Sequence, residues 1–109
     1  MSAPTIKIGN VDDVFTRMMH FEKAGDIEQG HTHTYDHITL LAYGKLKVTV
    51  EGEETIFEAP HMIFIKKDKR HMLEALVDNT VAACIHSLHD RTDNIISSDM
   101  IPNGIIINS

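Results

Sequence analysis

The sequence is short of cysteine, because Cys84 is the single one in the chain. One thiol cannot form an intrachain disulfide or a cysteine-rich zinc module, so neither device accounts for stability. Long hydrophobic runs are also missing, since no uninterrupted apolar stretch approaches the ~18–20 residues of a membrane helix. The N-terminus lacks the basic-then-apolar pattern of a secretory signal. We therefore expect a cytoplasmic protein with no membrane partner.

Positive charge is the second shortage. Ten Lys and Arg residues stand against 16 Asp and Glu residues, which gives a formal net charge of −6. A chain of this charge repels a phosphate backbone, so we expect no nucleic-acid partner. Several of the cations are concentrated in one segment that is most often a solvated turn: Lys66, Lys67, Lys69 and Arg70.

Proline and glycine are sparse too, with three and six residues among the 109. Together with 42% hydrophobic and 24% charged residues, this excludes a disordered or low-complexity chain and indicates a packed globule. The length fits a single domain over residues 1–109. We expect its core over about residues 15–90, with an N-terminal strand in 1–14 and a C-terminal tail in 91–109 as edge or dimer elements.

The clearest periodicity in the sequence is two. Leu46, Val48 and Val50 alternate with polar residues, which predicts a strand with one buried face. The spacing of strand signals over residues 46–65 suggests a meander. Short strands at intervals of about 8–12 residues favour a small antiparallel sandwich or barrel over βαβ units. The other predicted strands are Phe15 to Phe21, Thr55 to Phe57, Met62 to Ile65, Met72 to Val77 and Val81 to Leu88.

The best helical candidate is Val11 to Glu22, with Asn10 as its cap. Its bulky residues alternate as well as they follow a helical period, so we interpret the segment as a strand.

Three imidazoles lie within the eight residues Gly30-His-Thr-His-Thr-Tyr-Asp-His37. In an extended chain the side chains of His31, His33 and His37 point to one side, as a metal site requires. In a helix only the last two would share a face, and the segment lacks the glutamate that a zinc-peptidase helix uses as a general base. A solvated loop is the alternative to a metal site.

The spacing extends in both directions: Gly25, five residues, His31, one residue, His33, three residues, His37, six residues, Gly44. It resembles the first motif of the cupin superfamily, in which two His and a Glu bind metal between terminal glycines; His37 stands at the Glu position. Of the second cupin motif only the histidine is matched, at His71. Its Pro, second Gly and Asn positions carry Lys66, Asp68 and Ala75.

The resemblance implies an all-β fold, the RmlC-like jelly-roll barrel or small antiparallel double-stranded β-helix. It also implies one divalent metal ion (Mn, Fe, Zn, Ni or Co) bound by His31, His33, His37 and His71. His61 is the alternative fourth ligand, and His71 is preferred because it begins a strand whose odd residues can line a barrel. An imidazole in place of the carboxylate leaves the centre one charge more positive, which should attract an anionic ligand.

Such a centre implies a metal-dependent enzyme acting on a small oxygen-rich metabolite, as a Lewis-acid isomerase or lyase or as a dioxygenase. The ion would bind a bidentate enol, diketone or hydroxy acid. His86, on the last core strand, is the candidate catalytic group for proton transfer, although a histidine in such a position is more often a satisfied barrel histidine or an outward-facing one. A non-catalytic small-molecule binding or sensor module of the same fold is the alternative function. A purely structural metal site is disfavoured, because ligands inside a barrel usually leave coordination positions open.

Two further expectations depend on the resemblance. With His71 as a ligand, the basic segment before it lies close to the metal and would steer an anionic substrate. Cupins commonly pair through sheet edges, and exposed edges need covering, so we expect a homodimer. The segment Ile105-Ile106-Ile107 is predicted to be a swapped or edge-adding strand.

Overall fold

The computed structural model of the protein describes residues 2–31 and 36–89, without the side chains of residues 30 and 31. This part of the chain holds nine strands and no helix, and every strand pair is antiparallel, which confirms the all-β prediction. Within the same residues, no helix has the length and hydropathy that a membrane span requires. The strands are β1 (Thr5–Val11), β2 (Val14–Phe21), β3 (Ile27–His31), β4 (His37–Tyr43), β5 (Lys45–Val50), β6 (Glu53–Glu58), β7 (His61–Ile65), β8 (His71–Ala75) and β9 (Thr80–Ser87).

The period-two pattern correctly predicted two strands. The alternating segment at residues 45–50 is β5, with Leu46 and Val48 buried. The segment that could have been a helix is β2, and its odd residues Phe15, Met19 and Phe21 are buried. Side chains two apart on a strand share a face, so this burial pattern requires an extended chain.

The nine strands form two sheets that pack face to face. One has five strands in the order β1-β2-β9-β4-β7, and the other has four in the order β3-β8-β5-β6. The predicted meander is wrong: β5 and β6 form a hairpin, but β7 crosses to the five-stranded sheet and pairs with β4. Strand spacing along the chain cannot distinguish these arrangements, because it does not specify which sheet the third strand joins.

The core fills the space between the two sheets. The five-stranded sheet contributes Met19, Phe21 and Leu41, while the four-stranded sheet contributes Leu46 and Leu73. Complete burial of each side chain of this size contributes about 1.5–3 kcal/mol to stability. This apolar layer, the apolar floor of the barrel, lies beneath the histidine residues of the candidate site.

Gly44 links β4 to β5 at a point where no side chain fits. Its φ is +92°, a conformation that L side chains rarely adopt. A Cβ on this residue would lie 2.5 Å from Thr80 Oγ1 and 2.9 Å from Thr80 Cα. The hydroxyl is itself held, since it donates to the Val77 carbonyl at 2.9 Å. The second glycine of the histidine motif is therefore required both by backbone conformation and by close packing.

We expect Gly44→Ala to lower the free energy of unfolding by about 1–3 kcal/mol more than Gly52→Ala does. Gly52 is a matched control, because its φ is +86° and no heavy atom lies within 4 Å of where its Cβ would be. Both variants carry the strain of a left-handed backbone, so the difference isolates the contact with Thr80. Urea unfolding followed by circular dichroism measures it, and equal losses in the two variants would contradict the steric explanation.

Candidate metal centre

Two of the predicted ligands, His37 and His71, face each other across the barrel interior. His37 is the first residue of β4 in one sheet, and His71 is the first residue of β8 in the other. Both are buried, with exposed fractions of 4% and 7%. Their ring centroids are 5.2 Å apart, and the ring planes are inclined by 51°. The fold thus brings together two histidines that are separated by 33 intervening residues in the sequence.

The other two predicted ligands belong to the segment that leads into β4. The backbone of His31 pairs with that of His71. The ladder shifts register between Glu28 and His31, so the residue opposite His71 is His31 rather than Gly30. The side chain of His31 and the whole of His33 lie outside the described residues. Among the side chains that are described, no group of three His, Cys, Asp or Glu is arranged to hold a metal ion.

A hydrogen bond sets the tautomer of His71. Its Nδ1 lies 3.3 Å from the carbonyl oxygen of Lys69. A carbonyl can only accept, so Nδ1 carries the proton and the ring lone pair is on Nε2. In metal-binding histidines, the ring nitrogen that does not bind the metal commonly donates its N–H to a backbone carbonyl in this way.

His61, the alternative fourth ligand, lies away from this pair. It is exposed, and its ring packs on Phe57 with a centroid distance of 4.8 Å. On β7 it pairs with Leu41, whereas Ile65 pairs with His37. Four residues of strand, about 13 Å, therefore separate His61 from the histidine end.

His86, the candidate catalytic group, is on the inner face of β9. Its ring centroid is 4.7 Å from that of Phe15 and 6.4 Å from that of His37. Its Nδ1 donates to the Ser87 carbonyl at 2.7 Å, which leaves the lone pair on Nε2. Burial lowers the pKa of His86, and the bond to Ser87 partly opposes that shift. The neutral ring is the form that this environment favours.

The interior also contains an ion pair that was not expected as a functional feature. Arg17 of β2 contacts Glu28 of β3 through Nη1 and Oε2, and both side chains are partly buried. Arg17 occupies the same phase of β2 as the buried residues Phe15 and Met19. The sequence shows this arginine at a position of the predicted strand where the alternation would otherwise place an apolar residue, and that pattern could have identified it. Its partner on β3 had no comparable signal.

Cys84 and Thr39 adjoin this ion pair in one cross-strand row. Arg17 pairs with Cys84, which pairs with Thr39. The Thr39 hydroxyl lies 3.6 Å from the Cys84 sulfur. Burial raises the pKa of the Cys84 thiol, while Thr39 and Arg17 lower it and Glu28 raises it further. This polar row lies between the histidines and the apolar floor.

The basic segment is an exposed loop directly before His71. Its backbone is attached at two points: the Lys67 amide donates to Asp36 at 2.7 Å, and the Arg70 amide donates to Glu51 at 3.3 Å. Its four cationic side chains are exposed. The loop therefore adjoins the histidine end in sequence and keeps its charges in solvent.

Comparison with known proteins identifies relatives at the level of structure. No protein-family model matches the chain, and no curated protein sequence does. Solved structures do match, and one of them is KdgF from Halomonas sp., with a TM-score of 0.69, 20% identity and 80% of each chain covered. Another is a cupin superfamily protein from Desulfitobacterium hafniense (TM-score 0.66, 12% identity, 80% of this chain and 81% of that one). A third is an RmlC-like cupin with a double-stranded β-helix fold from Methanocaldococcus jannaschii (0.65, 10%, 78% and 82%). At these identities the likeness concerns the fold.

The environment of Cys84 predicts a poorly reactive thiol. At about pH 8 we expect iodoacetamide to alkylate it at least about tenfold more slowly in the native protein than in the urea-unfolded chain, because burial limits access and reduces the thiolate fraction. The rate of the native protein should rise with pH through an inflection above the ordinary pKa of a cysteine, the direction set by burial. Mass spectrometry of quenched samples gives both rates, and equal rates would contradict the buried environment.

Proposed function

Because the chain has the cupin double-stranded β-helix fold, we propose that it is a metal-binding cupin with one divalent ion (Mn, Fe, Zn, Ni or Co) held by His31, His33, His37 and His71. The observation that supports this most directly is the pair of buried imidazoles on opposite sheets, His37 and His71, at 5.2 Å. Two imidazoles that share an ion through bonds of about 2.0–2.1 Å have ring centres about 5 Å apart. The centroid separation of 5.2 Å fits that requirement, and the tautomer of His71 leaves the Nε2 lone pair to bind the metal.

An all-imidazole ligand set determines the kind of molecule that would bind. Neutral nitrogen ligands leave the full charge of the ion, so the centre favours anionic oxygen ligands more than a cupin site that includes a carboxylate does. When bound, the ion would polarise a carbonyl or lower the pKa of a bound water. A small hydroxy acid, enol or diketone that offers two oxygens is the substrate class that we propose.

Arg17 and His86 are the groups of the chain proposed to act on such a molecule. Arg17 is on the inner face of β2, two residues along the strand from Phe15, whose ring packs on His86. Its guanidinium contacts Glu28 through Nη1 alone, and a guanidinium can bind a carboxylate with two parallel hydrogen bonds. His86 presents Nε2 as a proton acceptor, because Nδ1 is committed to the Ser87 carbonyl.

Isomerase, lyase and dioxygenase chemistry all fit these groups, and the same arrangement also fits a non-catalytic binding or sensor module. The discriminating measurement is turnover: an enzyme converts a bound hydroxy or keto acid when metal is present, whereas a sensor binds it unchanged. The His86→Gln variant sharpens this test, because it removes the proposed proton acceptor and leaves the two buried imidazoles in place.

Elemental analysis tests the metal site. We expect protein purified without chelator or metal-affinity tag to contain about one divalent ion per chain, and His37→Ala and His71→Ala to lose most of it, since each removes a ligand. His61→Ala is the control, because His61 is exposed and lies at the other end of β7. Its metal content should stay at the wild-type level.

The variants also define the result that would contradict the site. Circular dichroism establishes that each is folded. A folded His37→Ala or His71→Ala protein with the wild-type metal content would exclude the proposed ligand set.

Ligand binding tests the role of Arg17. Malate and lactate offer the same hydroxy-acid group to an ion, but malate has a second carboxylate. We expect the metal-loaded protein to bind malate at least about tenfold more tightly than lactate, in keeping with a charge-assisted hydrogen bond. Arg17→Gln should abolish this preference without changing the metal content.

Lys67→Gln is the matched control for that measurement, because it removes one positive charge from the exposed loop before His71. Calorimetric titration of the three proteins with malate and with lactate gives the six dissociation constants. A preference for malate that survives Arg17→Gln and disappears in Lys67→Gln would assign anion recognition to the loop instead, and no preference in the wild type would rule out both.

A further inference from the structure

Asn10 carries a buried polar group that the proposed site does not use. It is 8% exposed, and its carboxamide oxygen has no hydrogen-bond partner in the part of the chain that the structure describes. Residues 90–109, with the predicted edge-adding strand Ile105-Ile106-Ile107, lie outside that part. Buried polar groups are hydrogen-bonded in the great majority of cases, because an acceptor that loses its hydration without gaining a donor lowers stability. The unpaired oxygen of Asn10 therefore points to a bound partner.

Asn10 lies on the inner face of β1. Ile6 packs against the main core, and Ile8 packs against a small cluster of Phe15 and Leu88, so the even residues of β1 point inward. Asn10 follows them in the same phase, next to the last residue of the strand. Its carboxamide thus belongs to the barrel interior.

The strand registers place Asn10 in one row with the candidate site. Asn10 pairs with Phe15, and Phe15 pairs with His86. The ring of His86 is 4.7 Å from that of Phe15 and 6.4 Å from that of His37. The row therefore runs from Asn10 on the edge strand, past an aromatic ring, to the proposed proton acceptor and a proposed metal ligand.

The length of this row sets the length of a molecule that would occupy it. In the five-stranded sheet β1 and β4 are three strand spacings apart, about 14 Å along the barrel wall. Side chains that point inward from both ends reduce the distance between their polar atoms to on the order of 10 Å. An extended chain of about six carbons, at about 1.5 Å per bond, covers most of that distance, and a hydrogen bond of about 2.8 Å from a terminal hydroxyl completes it.

The surroundings of the row define the chemistry of such a molecule. Its middle would lie against the ring of Phe15, which favours methylene groups. The unpaired oxygen of Asn10 is an acceptor, so the far end of the molecule has to donate. A neutral hydroxyl fits better than an ammonium group, because a charge loses far more hydration in apolar surroundings.

On the basis of the proposed metal site, we infer that Asn10 is a ligand-binding residue that selects 2-hydroxy acids with a second hydroxyl at the far end of an apolar chain of about six carbons. The terminal hydroxyl donates to Oδ1 of Asn10, while the carboxylate and the 2-hydroxyl bind at the histidines. A molecule without the terminal hydroxyl leaves the buried acceptor unpaired, and sites built to hydrogen-bond a hydroxyl discriminate strongly against analogues that lack it.

Two acids that differ in one hydroxyl test this inference. We expect the metal-loaded protein to bind 2,6-dihydroxyhexanoate at least about tenfold more tightly than 2-hydroxyhexanoate in calorimetric titrations. The acids have the same charge and the same chelating group, so neither the metal nor the basic loop distinguishes them. In Asn10→Leu the preference should disappear, because leucine has a similar volume and no acceptor.

Thr49→Val is the matched control. The Thr49 hydroxyl is also buried without a partner among the described residues, but it belongs to the outward phase of β5, opposite to Leu46 and Val48. Both substitutions remove an unpaired polar atom, so both should raise the midpoint of urea unfolding. The preference between the two acids should persist in Thr49→Val.

The outcomes separate this inference from the proposed function. Binding of neither acid by the metal-loaded protein would overturn both. Equal binding by the wild type would overturn this inference alone, and it is the result expected if a buried water satisfies Asn10. A preference that survives in Asn10→Leu or disappears in Thr49→Val, each shown to be folded by circular dichroism, would also overturn it, as would a lower unfolding midpoint in Asn10→Leu. The wild-type comparison stands even where a variant fails to fold.

Discussion

The register of β4 between β9 and β7 is the constraint on which the rest of the structure depends. His37, Thr39 and Leu41 point inward because β4 pairs in one register, and Ile38 and Leu40 point outward for the same reason. A slip of one residue would exchange the two sets completely. It would bury isoleucine and leucine in place of the histidine and threonine. One strand alignment therefore places His37 of the candidate metal centre inside the barrel and leaves the apolar side chains of Ile38 and Leu40 on its outer surface.

The partly buried Arg17–Glu28 pair is a second constraint on the structure, and its cost is the lost hydration of two charges. Partly burying two charges loses solvation, and the attraction between them often fails to exceed that loss, so a hydrophobic pair of similar volume would serve stability as well. The polar row beside it, Thr39 and Cys84, also fills space that apolar side chains fill lower in the barrel. The interior thus changes from apolar to polar toward the histidines, a gradient that core packing alone does not require. This gradient supports the proposal that a polar molecule binds at the histidine end of the barrel.

The sequence contained most of the fold because period-two alternation is a local property. Six strands, β2 and β5 to β9, could be located from their own residues, and β1 was predicted within residues 1–14, whereas β3 and β4 flank the histidine segment and were not predicted as separate strands. The assignment of β7 to the other sheet could not be found in this way, since it depends on contacts with residues far along the chain. The approach of His71 to His37 came from likeness to a family motif, because 33 intervening residues separate them in the sequence. Arg17 was visible as a charge in an apolar phase, but its partner Glu28 was not.

The register shift between Glu28 and His31 connects these observations. Glu28 pairs with Leu73 on the barrel side of β8, and strict alternation from there would bring Gly30 opposite His71. One extra residue in β3 instead brings the backbone of His31 opposite His71 while Glu28 keeps its contact with Arg17. Bulges are a common means of redirecting one strand position without disturbing the rest of the ladder. A single irregularity in an edge strand therefore reconciles two demands that regular pairing could not meet together: an ion pair in the barrel wall, and a pair of histidines in register at its end.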